Sequence, residues 1–262
     1  NQAIAASRLA ADTTFISKIG KDGNANFILE DFKKAGIHTQ YILTSESEET
    51  GQAFITVDEA GQNTILVYGG ANMTLSATDV EMSAEAFIGA DFVVAQLEVP
   101  FEAIEQAFKI ARKQNITTVL NPAPAIELPK SLLELTDIII PNETEAELLT
   151  GISINNESDM KETATYFLDL GISAVLITLG EQGTYCAYQE QYKMIPACNV
   201  KAVDTTAAGD TFIGAFLSEL NKDLSNLESA IRLANQASSL TVQRKGAQAS
   251  IPTRKEVEAE YN

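Results

Sequence analysis

The sequence predicts an α/β protein built on a doubly wound, mostly parallel sheet with helices on both faces. Three observations carry this expectation. Short apolar, β-prone runs alternate with amphipathic helical patterns along most of the chain, as successive βα units require. The alternation is interrupted once, by two β-prone runs joined through a loop of turn-forming residues, as in a hairpin. Finally, Val203-Asp204-Thr205-Thr206-Ala207-Ala208-Gly209-Asp210-Thr211-Phe212 joins a small-residue turn to an apolar-periodic run reaching Leu220. A turn feeding a helix leaves backbone N–H groups unpartnered at the positive end of the helix dipole, which makes an anion site.

Composition sets the bounds. A chain of 262 residues fits one large domain or two small ones, and with no repeat, low-complexity tract or linker a single α/β domain is the simpler reading. A net charge of −18 argues against nucleic acid and anionic membranes as partners. No apolar run has the length of a membrane span and no signal peptide opens the chain, so the sequence reads as soluble and cytoplasmic. Cys186 and Cys198 lack the spacing and neighbours of a metal or redox pair. His38 is the only histidine, which leaves general-base chemistry to a carboxylate.

The elements follow in order. Asn1 to Ala11 has an alanine-rich helical pattern, Thr13 to Ile19 is β-prone, and Asn24 to Ala35 is a helix ending at Gly36, a residue favoured just past a helix end. Thr39 to Leu43 reads as a strand. Gln52 to Val57 and Asn63 to Tyr68 form the hairpin; such an insertion usually projects from the sheet, although an edge hairpin with a half-buried face would alternate in the same way. Asp91 to Leu97 reads as a parallel strand buried on both faces and ends at Glu98, where ligands of such sheets bind.

Helix Pro100 to Gln114 and strand Thr117 to Leu120 lead to Asn121-Pro122-Ala123-Pro124-Ala125. Strand Asp137 to Ile140 then opens a helix that ends near Gly151. Asn142 and Glu145 share a face of its first turn, a spacing that also fits a helix cap with its capping-box acid. Helix Ser158 to Leu170 and strand Ala174 to Thr178 precede the tight loop Thr178 to Gly183, whose glycines allow either a ligand or a plain turn close to the backbone. Strands Thr184 to Tyr188 and Tyr192 to Pro196 come before the anion turn. Helix Leu227 to Val242 is followed by the loop Arg244 to Ser250, whose two cations fit a solvated surface as well as a phosphate contact.

Asp210 stands in the mouth of the anion turn. A carboxylate there would repel phosphate, so its chemistry points to a proton beside the phosphate, although an Asp in the first turn of an ordinary helix looks the same. Neither GxxxxGK[ST] nor GxGxxG occurs, so neither a P-loop nor a dinucleotide fold is signalled.

The stretch Asp204 to Phe212 resembles the C-terminal signature of the ribokinase-like (PfkB) carbohydrate kinases. Asn1-Gln2-Ala3 resembles the tail of that family's glycine-rich sugar loop, Asn121 to Ala125 is similar to a segment the family carries, and Asn142-x-x-Glu145 matches its Asn-x-x-Glu motif. The resemblance runs from Asn1 to the C-terminal helix. The family's opening strand, with its sugar-binding Asp, and the glycine stretch itself do not precede Asn1, so the chain is expected to be N-terminally incomplete.

The resemblance implies transfer of the ATP γ-phosphoryl group to the primary hydroxyl of D-ribose, giving ribose 5-phosphate. Asp210 would be the general base, and the N–H groups of Ala208, Gly209 and Asp210 would hold the charge that develops. Asn1 and Glu98 would hold sugar hydroxyls beneath a lid hairpin at about 50–70, with Ala53, Ile55 and Ile65 facing the sugar. Thr178, Leu179, Gly180, Glu181, Gln182 and Gly183 would line the nucleotide with Asn142 and Asn235. Asn142 and Glu145 would organise Mg²⁺ through water. Asp204, Thr206, Thr241, Arg244, Gly246 and Ser250 would hold K⁺. In this family lids commonly pair two copies, which implies a homodimer. The small or aliphatic lid positions favour a compact sugar over a nucleoside. A fructokinase-like sugar kinase is the nearest alternative, and a non-catalytic sugar- or nucleotide-binding relative is the alternative from another class.

Overall fold

The computed structural model describes residues 1–57 and 63–261; the hairpin loop, 58–62, and the side chains of Ile55 and Ile65 lie outside what is described. The first half comprises α1 (Gln2–Arg8), β1 (Ser17–Ile19), α2 (Gly23–Ala35), β2 (Ile42–Thr44), β3 (Gln52–Val57), β4 (Asn63–Tyr68), α3 (Ala77–Met82), β5 (Phe92–Ala95), α4 (Phe101–Lys113) and β6 (Thr117–Leu120). The second comprises α5 (Lys130–Leu133), β7 (Ile138–Ile139), α6 (Glu143–Thr150), α7 (Glu157–Asp169), β8 (Ala174–Thr178), β9 (Gly183–Tyr188), β10 (Gln191–Pro196), α8 (Ala208–Glu219), α9 (Leu227–Val242) and α10 (Arg254–Tyr261).

Six strands form the main sheet in the order β10-β9-β8-β7-β6-β5. The strands β5 to β8 are parallel, and β9 and β10 are added antiparallel. Successive side chains of a strand point to opposite faces, and here both faces are covered. Ile138, Ile140, Ala174 and Leu176 pack with Phe212, Phe216, Ile231 and Ala234 of α8 and α9. Ile139, Val175 and Ile177 pack with Phe108, Ala146, Ala164 and Phe167 of α4, α6 and α7. This double covering makes the central strands apolar throughout, as a doubly wound sheet demands.

Several local expectations need correction. The strand at Asp91 to Leu97 is not buried on both faces: β5 is the edge of the six-stranded sheet among the described residues, and Val94 is 39% exposed. The strand expected over Thr39 to Leu43 is displaced, because Ile42 N–H donates to Thr39 O in a turn and β2 starts only at Ile42. β1 and β2 pair in parallel as a separate two-stranded sheet. The hairpin is not a half-buried edge: β3 and β4 pair only with each other among the described residues, and Phe54 and Leu66, register partners, are 51% and 69% exposed. Among the described residues, no helix is long and apolar enough to cross a membrane. Both cysteines are free, and burial pushes the Cys186 thiol up to about 12, which keeps it inert.

Candidate active site

The helix α8 starts at Ala208, one turn earlier than its apolar period suggested. Its N-cap, Ala207, has φ +62 and gives no side-chain cap; a non-glycine residue there costs roughly 1 kcal/mol or more. By contrast, α2, α3, α6 and α7 are capped by the side chains of Asp22, Ser76, Asn142 and Asn156. The missing cap leaves donors free. Ala208 N–H is engaged by Thr205 O at 3.2 Å, but the N–H groups of Gly209 and Asp210 have no acceptor among the described residues. Of the three donors assigned to the anion turn, two are therefore available.

Asp210 stands beside them at the third helical position. Its Oδ2 accepts from Asn1 Nδ2 at 2.8 Å and its Oδ1 from Gln2 Nε2 at 3.2 Å. Glu98 joins the same cleft from the end of β5. Its side chain keeps an exposed surface, but the protein around the carboxylate removes part of its hydration and, with the Asp210 charge, raises its pKa from the ordinary value. Asn1, Glu98 and Asp210, chosen from distant parts of the sequence, thus meet in one place. Gln2, Gln96 and Asn121 join them through Asn121 Oδ1, which accepts from Gln2 and Gln96. The sequence reading met Gln2 and Asn121 only inside the segments that carry the resemblance and gave them no role, and it did not single out Gln96.

Further along the sheet, Asn142 and Thr178 form a parallel bridge, which sets the Asn-x-x-Glu turn against the Thr178 to Gly183 loop. Asn142 and Glu145 form the capping box in full. Glu145 N donates to Asn142 Oδ1, while Asn142 N and Nδ2 donate to the two Glu145 oxygens, all at 2.8 to 2.9 Å. Burial raises the pKa of Glu145, and the hydrogen bond from Asn142 opposes that shift. In the loop, Leu179 is a core residue, while Gly180, Glu181 and Gln182 are exposed. Gly183, at φ +112, is needed by the protein itself, since a Cβ would lie 2.2 Å from Ile195 O. Asn235 is buried and its amide is occupied, accepting from Thr184 Oγ1 and donating to Ile195 O and Pro196 O. Its visible work is to tie α9 to β9 and β10.

Behind the anion turn, Asp204 Oδ1 accepts from the Thr206 N–H and hydroxyl, and Oδ2 from Gly246 N–H. These bonds hold its carboxyl down at about 2. The carbonyl oxygens of Thr206, Arg244, Gly246 and Ser250 accept no hydrogen bond among the described residues. That donor set suits a large monovalent cation. Thr241 offers less, because its carbonyl accepts from Arg244 N–H and its hydroxyl is engaged with Thr211 and Ala237. Ala53 is exposed on the hairpin, whereas the calls on Ile55 and Ile65 fall on side chains outside those described.

Comparison with known proteins bears on this arrangement. The model of the pfkB family carbohydrate kinases matches residues 1–254. A ribokinase of Staphylococcus aureus is 64% identical over 98% of this chain and 84% of its own length. One of Haemophilus influenzae is 44% identical over 98% of this chain and 83% of its own. A solved Arabidopsis thaliana ribokinase complexed with ribose and ATP superposes with a TM-score of 0.90 at 32% identity, covering 98% of this chain and 84% of that one. The signature around Asp210, the fold and these matches agree, and the chain belongs to the pfkB family of carbohydrate kinases.

Proposed function

We propose that this protein phosphorylates D-ribose at its primary hydroxyl with ATP, with Asp210 as general base. The observation that carries the reading is the pairing, in the first turn of α8, of a carboxylate with the two free N–H groups of Gly209 and Asp210. The relatives named as ribokinases supply the sugar.

The chemistry follows from the residues. Phosphoryl transfer asks mainly for position and charge stabilisation. Asp210 takes the hydroxyl proton as the sugar oxygen bonds to the γ-phosphorus and the bond to the ADP oxygen breaks. The free N–H groups face the charge spread over the transferred group. Asn1 and Glu98 hold sugar hydroxyls. The exposed Gly180 to Gln182 segment and Asn142 lie along the nucleotide.

Mg²⁺ would come to the site on the nucleotide phosphates, where it would neutralise charge on the phosphate oxygens. Asn142 and Glu145, locked together as a capping box, would meet only its water shell. Asp204, Thr206 and the carbonyls of Arg244, Gly246 and Ser250 would hold K⁺ and thereby the shape of the anion turn. The hairpin would close over the sugar.

A turnover assay with ATP and a panel of sugars tests the reading. Ribose should give the highest kcat/KM. Faster phosphorylation of fructose would make the protein a fructokinase-like enzyme, and binding without turnover would make it a non-catalytic relative.

A further inference from the structure

The geometry points to Gln2 as the positioning residue of the Asp210 carboxylate, acting through a chain of amides anchored at the Ile140 carbonyl; this rests on the reading of Asp210 as the base. The chain starts from a fixed point. Asn121 Nδ2 donates to Ile140 O at 2.9 Å. A carbonyl oxygen only accepts, so the Asn121 amide has a single orientation, with Oδ1 turned toward the cleft. That oxygen accepts from Gln2 Nε2 at 3.0 Å and from Gln96 Nε2 at 3.3 Å. Gln2 must therefore present its NH₂ group, and the same Nε2 donates to Asp210 Oδ1 at 3.2 Å. Asn121 donates to Ile140 and Gln2 to Asn121, and at Gln2 the chain turns, because its NH₂ group donates both to Asn121 and to the base.

Asn1 differs. Its Nδ2 reaches Asp210 Oδ2 at 2.8 Å, but Asn1 is exposed and its side chain has no other partner among the described residues. It can turn from Asp210 to a ligand. Gln2 is half-buried and braced by Asn121, which is only 7% exposed. The carboxylate is thus gripped at Oδ1 by a fixed donor, and Oδ2 is the oxygen left to face a sugar hydroxyl when Asn1 turns away. Among the described residues, none of these amides hydrogen-bonds to the loop 178–183.

The test is steady-state kinetics on the full-length gene product. Gln2→Leu should lower kcat on the order of 10- to 100-fold, the scale on which a reacting group is misplaced, with KM for ATP within twofold of the parent. Gln2→Glu, isosteric but opposing an acceptor to two acceptors, should lose kcat at neutral pH and regain part of it in acid, as the new carboxyl takes a proton and donates. Asn121→Ala should lower kcat in the parent and add little to Gln2→Leu, since both break one chain. Equal unfolding midpoints show which variants keep the fold, and Gln2→Glu serves where Gln2→Leu does not. Parent-like kcat in a folded Gln2→Leu or Gln2→Glu, or the same loss from Asn121→Ala in both backgrounds, would overturn the inference alone. A parent without sugar-dependent ATP turnover would overturn the reading of Asp210 and this inference with it.

Discussion

Gly214 on α8 faces Ala5 on α1, and the glycine leaves only the Ala5 methyl between the two helices at this point. A Cβ on Gly214 would lie 2.5 Å from the Ala5 Cβ and 2.5 Å from the Ala6 nitrogen. Gly214 is one turn beyond Asp210, so both lie on the face of α8 that α1 covers. The glycine sets how deeply α1 sits, and with it the reach of Asn1 and Gln2 to the carboxylate. Gly214→Ala forces the helices apart. It should cost about 1–3 kcal/mol of stability and, by withdrawing the amides, roughly tenfold or more in kcat. Urea unfolding and turnover measured on the same preparation check both; parent-like values in both would show that the contact does not set the site.

Asp210→Asn should fold normally and lose kcat on the order of 10² to 10⁴, the usual range for removing a general base. An amide cannot take the hydroxyl proton, and its NH₂ would face the Asn1 and Gln2 donors. Binding of a non-hydrolysable ATP analogue should persist, since the carboxylate repels phosphate. Calorimetry with the analogue and a coupled turnover assay separate the two effects, and near-parent turnover would remove Asp210 from the base role.

How much of this could be read from the sequence depended on the range of the interactions. Strands β6 and β8, both hairpin arms and α9 have the bounds that their local apolar pattern predicts. The exposure of β5 was not legible, because an edge is defined by which strands pair, and pairing is tertiary. The first turn of α8 was legible only from its small-residue anion turn, since Ala208 and Gly209 carry no apolar period. In the site, titratable residues stood out: Asp210 by its turn and Glu98 by its place at a strand end. Gln2 and Asn121 did not, because their contact spans 119 positions and neither amide has a chemistry of its own to signal it.

The unpartnered carbonyls near Asp204 lead to an ion-dependence prediction. Potassium should activate turnover more than sodium at matched ionic strength, because carbonyl oxygens suit the larger ion, and the effect should appear in kcat rather than in ribose KM. Replacing Asp204 by Asn should abolish the difference. Equal rates in the two salts for the parent would count against the site.

The exposed hairpin residues bear on association. Phe54, Leu66 and Val67 are 51%, 69% and 59% exposed, a concentration of apolar surface that isolated side chains do not explain. Pairing of two hairpins would cover it. Phe54→Asp combined with Leu66→Asp should convert a dimer into a monomer in sedimentation velocity without lowering the unfolding midpoint of the protomer. A parent that sediments as a monomer at micromolar concentration would end this reading.

The hydrogen bonds to Asp204 also predict a pH dependence of stability whose sign is fixed. Its carboxyl is held at about 2 in the folded chain, against about 3.9 for an unfolded aspartate. A folded value below the unfolded one means that the charged form stabilises the fold. The contribution is complete above the unfolded value and fades as pH falls from about 4 toward about 2. Other carboxylates titrate in the same window, so the informative quantity is the difference in Tm between the parent and Asp204→Asn. That difference should be constant from pH 7 to about 5 and shrink steadily below about 4. Its size will be modest, because the group is partly solvated and water screens the interaction. Scanning calorimetry of both proteins from pH 3 to 7 makes the comparison, and a difference that failed to narrow below pH 4 would mean that Asp204 does not tie the 204–206 turn to Gly246 through its charge.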